Sequence, residues 1–69
     1  MQSKKKRQLV EETILSSYES MYRIAFTYVK NQEDALDIVQ DSACRAMQYA
    51  DSVKKEEYVE TWLFRIVIN

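Results

Sequence analysis

The sequence predicts an all-α domain of three helices: an antiparallel helical hairpin followed by a third helix. The 69-residue chain contains no Gly and no Pro, which are the usual residues of tight turns and hairpin loops. Residues that favour helices, such as Ala, Glu, Lys, Gln and Leu, are plentiful. Apolar residues recur at steps of three and four over long stretches, and this is the spacing of one helical face.

The first predicted element follows a basic segment at the start of the chain. Residues 1–8 include the basic run Lys4–Arg7, and we expect them to form a flexible basic arm without secondary structure. The folded domain is then expected over 9–69. Its first helix should begin near Leu9 and end at 28–30, because apolar residues keep helical spacing throughout. These residues are Val10, Ile14, Tyr18, Met21, Tyr22, Ala25, Phe26 and Val29.

The second helix is predicted to begin directly after Asn31. Asn is a preferred N-cap residue, and Glu33 and Asp34 place negative charge at the positive end of the helix dipole. The connection to the first helix is very short, which predicts an antiparallel hairpin. The core stripe of this helix is rich in small residues, and it consists of Leu36, Val39, Ala43, Ala46, Met47 and Ala50.

The third helix is predicted after a loop at 51–55, where the apolar periodicity breaks. It should begin near Lys55 or Glu56 and carry a broad apolar face. The chain stops at Asn69 inside this pattern, without a capping residue, so we expect a helix truncated at its C-terminal end. The excess apolar surface predicts either self-association through this helix or a low melting temperature. The residues concerned are Tyr58, Val59, Trp62, Leu63, Phe64, Ile66, Val67 and Ile68.

The charge distribution favours a basic protein partner over duplex DNA. From Gln8 to Asn69 the chain has six basic and eleven acidic residues, a net charge of −5, which repels a phosphate backbone. Cys44 is the single cysteine, so no intramolecular disulfide can form, and we interpret it as a small helix residue and not a reactive thiol. No apolar run is long enough for a signal peptide or a membrane span.

The most informative motif is an acidic face on the second helix. Asp37, Gln40 and Asp41 stand at positions i, i+3 and i+4, so their side chains share one side of the helix. Carboxylates one turn apart can accept charge-assisted hydrogen bonds from Arg or Lys of a partner, and the amide adds orientation. Arg45 extends this face or only neutralises Asp41 within the helix. A solvated polar face without a partner would show the same spacing.

Several motifs in order resemble region 2 of a bacterial sigma factor of the sigma-70 family, and the extracytoplasmic-function (ECF) group most of all. The resemblance covers about residues 18–69 and rests on matches in all three predicted helices. These are Tyr22-Arg23-Ile24-Ala25, Asp37-Ile38-Val39-Gln40-Asp41, Tyr58, Trp62-Leu63 and Arg65-Ile66.

The resemblance implies a role in transcription initiation. In that family the second-helix motif binds the clamp helices of the RNA polymerase β′ subunit, which carries this role to Asp37, Gln40 and Asp41, with Arg45 beside them. The family also implies a cytoplasmic protein, an anti-sigma factor that occludes the same surfaces, and a contribution to minus-ten promoter recognition in the full-length protein. Promoter phosphate contacts would come from Lys54, Lys55 and Arg65, or these residues only solvate the surface.

Other readings compete with this one. The runner-up is a helical interaction module unrelated to transcription. Catalysis has little support because the chain has no His and no Gly-rich phosphate loop, so we expect neither an enzyme nor a cofactor. A metal site at Asp37 and Asp41 would need further oxygen ligands that the sequence does not supply. Trp62 is either a core residue, which we favour, or a platform for base stacking.

Overall fold

The computed structural model describes residues 2–68, and their side chains from Lys5 onward. Within these residues the fold is all-α, as predicted, with three α-helices and no strand. Helix α1 spans Gln2–Val29, α2 spans Gln32–Gln48, and α3 spans Val59–Ile68. Two short 3-10 turns, Ala50–Ser52 and Glu56–Tyr58, lie in the connection between α2 and α3.

Helix α1 begins much earlier than the sequence pattern indicated. It starts at Gln2 and not near Leu9, so the prediction that residues 1–8 carry no secondary structure is wrong from Gln2 onward. Lys, Arg and Gln are good helix formers, and Lys6 is half-buried while Leu9 packs against the core. The basic segment is therefore the first two turns of a helix that rests partly on the domain.

Helix α1 ends where it was predicted to end. The chain then reverses direction without a glycine, through a residue in the left-handed conformation. Lys30 has φ = 56°, the left-handed conformation that commonly follows a helix and that Gly adopts most easily. Its backbone N–H donates to the carbonyl of Phe26 at 2.8 Å. A left-handed non-glycine residue costs roughly 1–2 kcal/mol, so this turn is strained.

The predicted N-cap of α2 is confirmed. The side-chain oxygen of Asn31 accepts a hydrogen bond from the backbone N–H of Asp34 at 3.0 Å, and Glu33 and Asp34 occupy the first turn. Only Lys30 and Asn31 separate α1 from α2, which makes the two helices an antiparallel hairpin. The predicted loop at 51–55 is partly a 3-10 turn, and a second 3-10 turn at Glu56–Tyr58 precedes the α-helical hydrogen bonding of α3.

The core is formed by all three helices and the connection. The largest fully buried side chains are those of Met21, Leu63, Val10 and Val39. The inner face of α2 is rich in small residues, as predicted. Its buried positions include Ala35 and Ser42, whereas the predicted core residues Leu36 and Ala43 are only half-buried. The remaining buried apolar residues are Ile14, Ala25, Ala46, Ala50, Val53, Val59 and Val67.

Helix α3 lies against both helices of the hairpin and fixes the position of the acidic face. Leu63 is fully buried, and Val59 and Val67 are buried on the same side of α3. The buried hydroxyl of Ser17 on α1 donates to the carboxylate of Glu60 at 3.5 Å. The predicted excess of apolar surface is smaller than expected, because Ile68 is the one large apolar residue of α3 that is exposed.

Candidate functional site

An open groove runs between α2 and the C-terminal end of α3, with a volume of about 520 Å³. Asp37, Asp41 and Arg45 line it from α2, and all three side chains are exposed. We call this surface the acidic groove. Its other lining residues are Ala25, Tyr28, Ile38, Ser42, Ile66, Val67 and Ile68.

The apolar wall of the acidic groove was not found from the sequence. Ile66 and Ile68 come from α3, Ile38 comes from α2, and Tyr28 comes from the last turn of α1. Tyr28 and Ile68 are 66% and 55% exposed, so apolar surface stands open to solvent beside two carboxylates. Exposed apolar surface next to charged side chains is typical of a protein-binding site. Only the crossing of α3 over the hairpin brings these residues together.

Gln40 is exposed but does not line the acidic groove. On an α-helix, residues at i and i+4 point within roughly 40° of each other, whereas residues at i and i+3 diverge by roughly 60° in the other direction. Asp37 and Asp41 therefore face the groove together, and Gln40 lies on the neighbouring flank of α2. Because α3 lies beside only one flank of α2, two residues of the predicted face line the groove and the third, Gln40, does not.

Arg45 pairs with Asp41 within α2. Its Nε atom lies 3.2 Å from Oδ2 of Asp41, and the two side chains are 56% and 64% exposed. Exposed pairs of this kind contribute about 0–1 kcal/mol. This pair fits the predicted neutralisation of Asp41, and the place of Arg45 in the groove lining fits the predicted extension of the face. The pair is weak enough for a partner's cation to compete with it.

The three residues predicted to contact DNA lie in two different places. Lys54 and Lys55 line a cavity between the connection and the start of α1. Arg65 lies on α3, where it lines a shallow groove with Tyr58, Thr61 and Trp62. They do not form one site, and no pattern in the sequence indicates that Lys54 and Lys55 lie beside the basic start of α1.

Trp62 is half-buried and packs against the core, with part of its surface in the groove shared with Arg65. Packing against the core agrees with the predicted core role, although part of the side chain is accessible. Cys44 is exposed on α2. Within the described residues, no group of three or more His, Cys, Asp or Glu side chains is placed to hold a metal ion, and no helix has the length and apolarity to cross a membrane.

Two comparisons with known proteins both find similarity to sigma factors. The family model described as Sigma-70 region 2 matches residues 9–69. RNA polymerase sigma factor SigV of Bacillus subtilis (strain 168) is 39% identical to the chain over 61 residues, which cover 88% of this chain and 37% of that protein. The chain thus spans little more than a third of the length of this relative. No solved structure matches the chain significantly.

Proposed function

The chain belongs to the sigma-70 region 2 family, in its ECF group, and we propose that its acidic groove binds the clamp helices of the RNA polymerase β′ subunit. A sigma factor is a transcription initiation factor, so the proposed mechanism is recruitment. This surface would bind the factor to the polymerase, and other portions of the full-length factor would deliver the enzyme to a promoter.

The observation that carries the proposal is the joint placement of two carboxylates and an apolar wall in one groove. Asp37 and Asp41 are exposed and one helical turn apart, and Ile66 and Ile68 stand across from them. A partner helix with basic residues one turn apart would form charge-assisted hydrogen bonds to both carboxylates. Its apolar side chains would cover the isoleucines and exclude water, which strengthens those bonds.

The overall charge supports the same kind of partner. The net charge of −5 from Gln8 to Asn69 attracts a basic surface over several ångströms and raises the rate of encounter. Gln40 contributes from the neighbouring flank, where its amide can meet the same partner at the edge of the groove. Arg45 would exchange its weak pairing with Asp41 for an acceptor on the partner or for water.

A contribution to minus-ten promoter recognition is the second part of the proposed function. Lys54 and Lys55 are exposed on the connection and Arg65 is exposed on α3, and at these two places they would contact promoter phosphate once the polymerase holds the DNA nearby. Phosphate contacts position the protein without reading sequence, so promoter selectivity would come from other residues of the full-length protein.

Family membership supports two further proposals, on regulation and on location. An anti-sigma factor that covered the acidic groove would block the polymerase with the same contacts that we assign to β′. Binding by either partner would then exclude the other. The protein would act in the cytoplasm, where RNA polymerase works.

The experiment is a pull-down of core RNA polymerase with the wild-type chain and with the double variant Asp37→Arg, Asp41→Arg. Loss of a charge partner at an interface costs about 2–5 kcal/mol, which corresponds to a loss of affinity of about 30-fold or more, and reversal should cost no less. The control is Glu11→Arg, Glu57→Arg, which changes the net charge equally at exposed positions outside the groove.

Wild-type binding by the groove variant would refute the assignment. Equal losses in both variants would mean that total charge and not the groove determines binding. If the wild-type chain did not bind polymerase at all, a helical interaction module with another basic partner would become the better interpretation.

A further inference from the structure

The early start of α1 forms a basic helix end. Lys5, Lys6 and Arg7 lie within the helix, with Lys5 and Arg7 exposed and Lys6 half-buried. We call these three residues the basic tip. Residues 2–10 contain no acidic residue, and the N-terminal end of a helix adds a partial positive charge of its own. The tip is therefore a short helical segment with a local excess of positive charge.

The positive charge of the basic tip is not ion-paired. The ion pairs among the described side chains join residues 19 and 23 and residues 41 and 45, so within this part of the chain none involves the tip. Glu56 lines the cavity beside Lys5 and Lys6, where Lys54 and Lys55 offset its charge. The exposed cations of the tip are thus available to carboxylates of another molecule, with which they would form charge-assisted hydrogen bonds.

The basic tip and the acidic groove lie at opposite ends of the molecule. The tip belongs to the first turns of α1, whereas Tyr28 lines the groove from the last turn. This helix has 28 residues and therefore spans about 40 Å, which agrees with the longest dimension of the domain, 39 Å. The tip and the groove cannot meet within one copy of the chain, so an attraction between them acts only between copies.

We propose that the basic tip of one copy binds in the acidic groove of a second copy. Asp37 and Asp41 stand one helical turn apart in the groove and would accept hydrogen bonds from the lysines and the arginine of the tip. The groove volume of about 520 Å³ has room for one turn of a helix, a cylinder roughly 10 Å wide and 5.4 Å long that occupies about 420 Å³.

The apolar wall of the groove suits the same occupant. Lysine and arginine pack their methylene stems against apolar surface while their charged heads reach an acceptor. Tyr28 and Ile68 are exposed in the groove and offer such surface beside the carboxylates. Because the tip and the groove have the same separation in both copies, an antiparallel pair can make this contact twice. The pairing needs no polymerase and so goes beyond the proposed function; only its consequence, that paired copies hide the groove from β′, rests on it.

The first test is sedimentation equilibrium of the 69-residue chain at two salt concentrations. Charges on a surface interact over about 30 Å at about 0.01 M salt and over only about 3 Å at about 1 M. The weight-average mass should therefore exceed the 8.2 kDa of the monomer at low salt and return to it at high salt. Association through apolar surface alone would persist at high salt.

Two charge-reversed variants identify the surfaces. Asp37→Arg, Asp41→Arg makes the groove basic, and Lys5→Glu, Arg7→Glu makes the tip acidic. Each variant alone should be monomeric at low salt, because its tip and its groove then carry charge of the same sign. An equimolar mixture should associate again, since the arginine groove receives the glutamate tip and the unchanged tip receives the unchanged groove.

The matched controls change the net charge by the same amounts at exposed positions outside both surfaces. Glu19→Arg, Glu57→Arg matches the groove variant, and Arg23→Glu, Arg65→Glu matches the tip variant. Both controls should associate at low salt as the wild type does. Helix content from circular dichroism confirms that all variants are compared in the same folded state.

Three results would overturn the inference. The first is a wild-type chain that is monomeric at low salt or that associates equally at high salt. The second is a mixture of the two reversed variants that stays monomeric. The third is an equal loss of association in the controls. None of these measurements involves polymerase, so the inference would fail and the proposed function would stand if Asp37→Arg, Asp41→Arg still lost polymerase binding.

Discussion

Replacement of Leu63 by alanine should remove most of the stability of the domain. Leu63 is fully buried on α3, and Leu→Ala at buried positions costs about 2–5 kcal/mol through lost burial and the cavity left behind. A core of this size rarely supplies more than about 3–5 kcal/mol in total. With about 4 kcal/mol in total and a loss of about 3 kcal/mol, the variant should retain about 1 kcal/mol, so that about one molecule in six is unfolded at 25 °C.

The assay is urea unfolding followed by circular dichroism. With a slope near 1 kcal/mol per M, as expected for a small domain, the midpoint should fall by about 2 M or more. Leu15→Ala is the matched control, because Leu15 is 72% exposed on α1 and surface substitutions usually change stability by less than about 0.5 kcal/mol. Equal midpoints for the two variants would refute the packing of α3 against the hairpin, and with it the groove that α3 completes.

Three further predictions concern the turn, DNA binding and association. Lys30→Gly should raise the free energy of unfolding by about 0.5–1 kcal/mol, because glycine relieves the left-handed strain at φ = 56°; Lys30→Ala should give no such gain in the same urea titration. In a gel-shift titration at physiological salt, the chain should show no submicromolar, sequence-selective binding of duplex DNA, since its acidic body limits it to the range of about 10⁻⁴–10⁻⁶ M. Sedimentation equilibrium should detect self-association through the exposed Ile68 at the end of α3, which Ile68→Ser should weaken, or the chain should melt at low temperature as a monomer; a monomer with a high melting temperature would contradict this prediction.

The parts of the fold that depend on local chemistry could be predicted from the sequence. Asn31 is predictable as an N-cap from its residue type and its place before two acidic residues, because the hydrogen bond it makes reaches an N–H only three residues away. The end of α1 and the short hairpin followed in the same way from the break in apolar spacing. The start of α1 could not be predicted, because Lys6 and Leu9 gain their packing from the rest of the domain and their neighbours carry no apolar pattern.

The candidate site was predictable only in part for a related reason. Asp37 and Asp41 could be placed on one face by helical spacing alone. The apolar wall of Ile66 and Ile68, the exclusion of Gln40 from the groove, and the position of the connection beside the basic start of α1 all depend on where α3 and α1 pass their neighbours. No periodicity within one helix encodes those crossings.

The measurement that tests the central claim most directly is a cross-link from the native Cys44 to core RNA polymerase. Cys44 is exposed on α2, three residues after Asp41, so a benzophenone attached to its thiol should react at the docked surface without any substitution. The control combines Cys44→Ala with Ser16→Cys, which moves the label to an exposed position on α1. We expect the label at Cys44 to cross-link to the clamp helices of β′ and the label at position 16 to give little product. Cross-linking from position 16 with none from Cys44 would contradict the assignment of the acidic groove as the polymerase-binding surface.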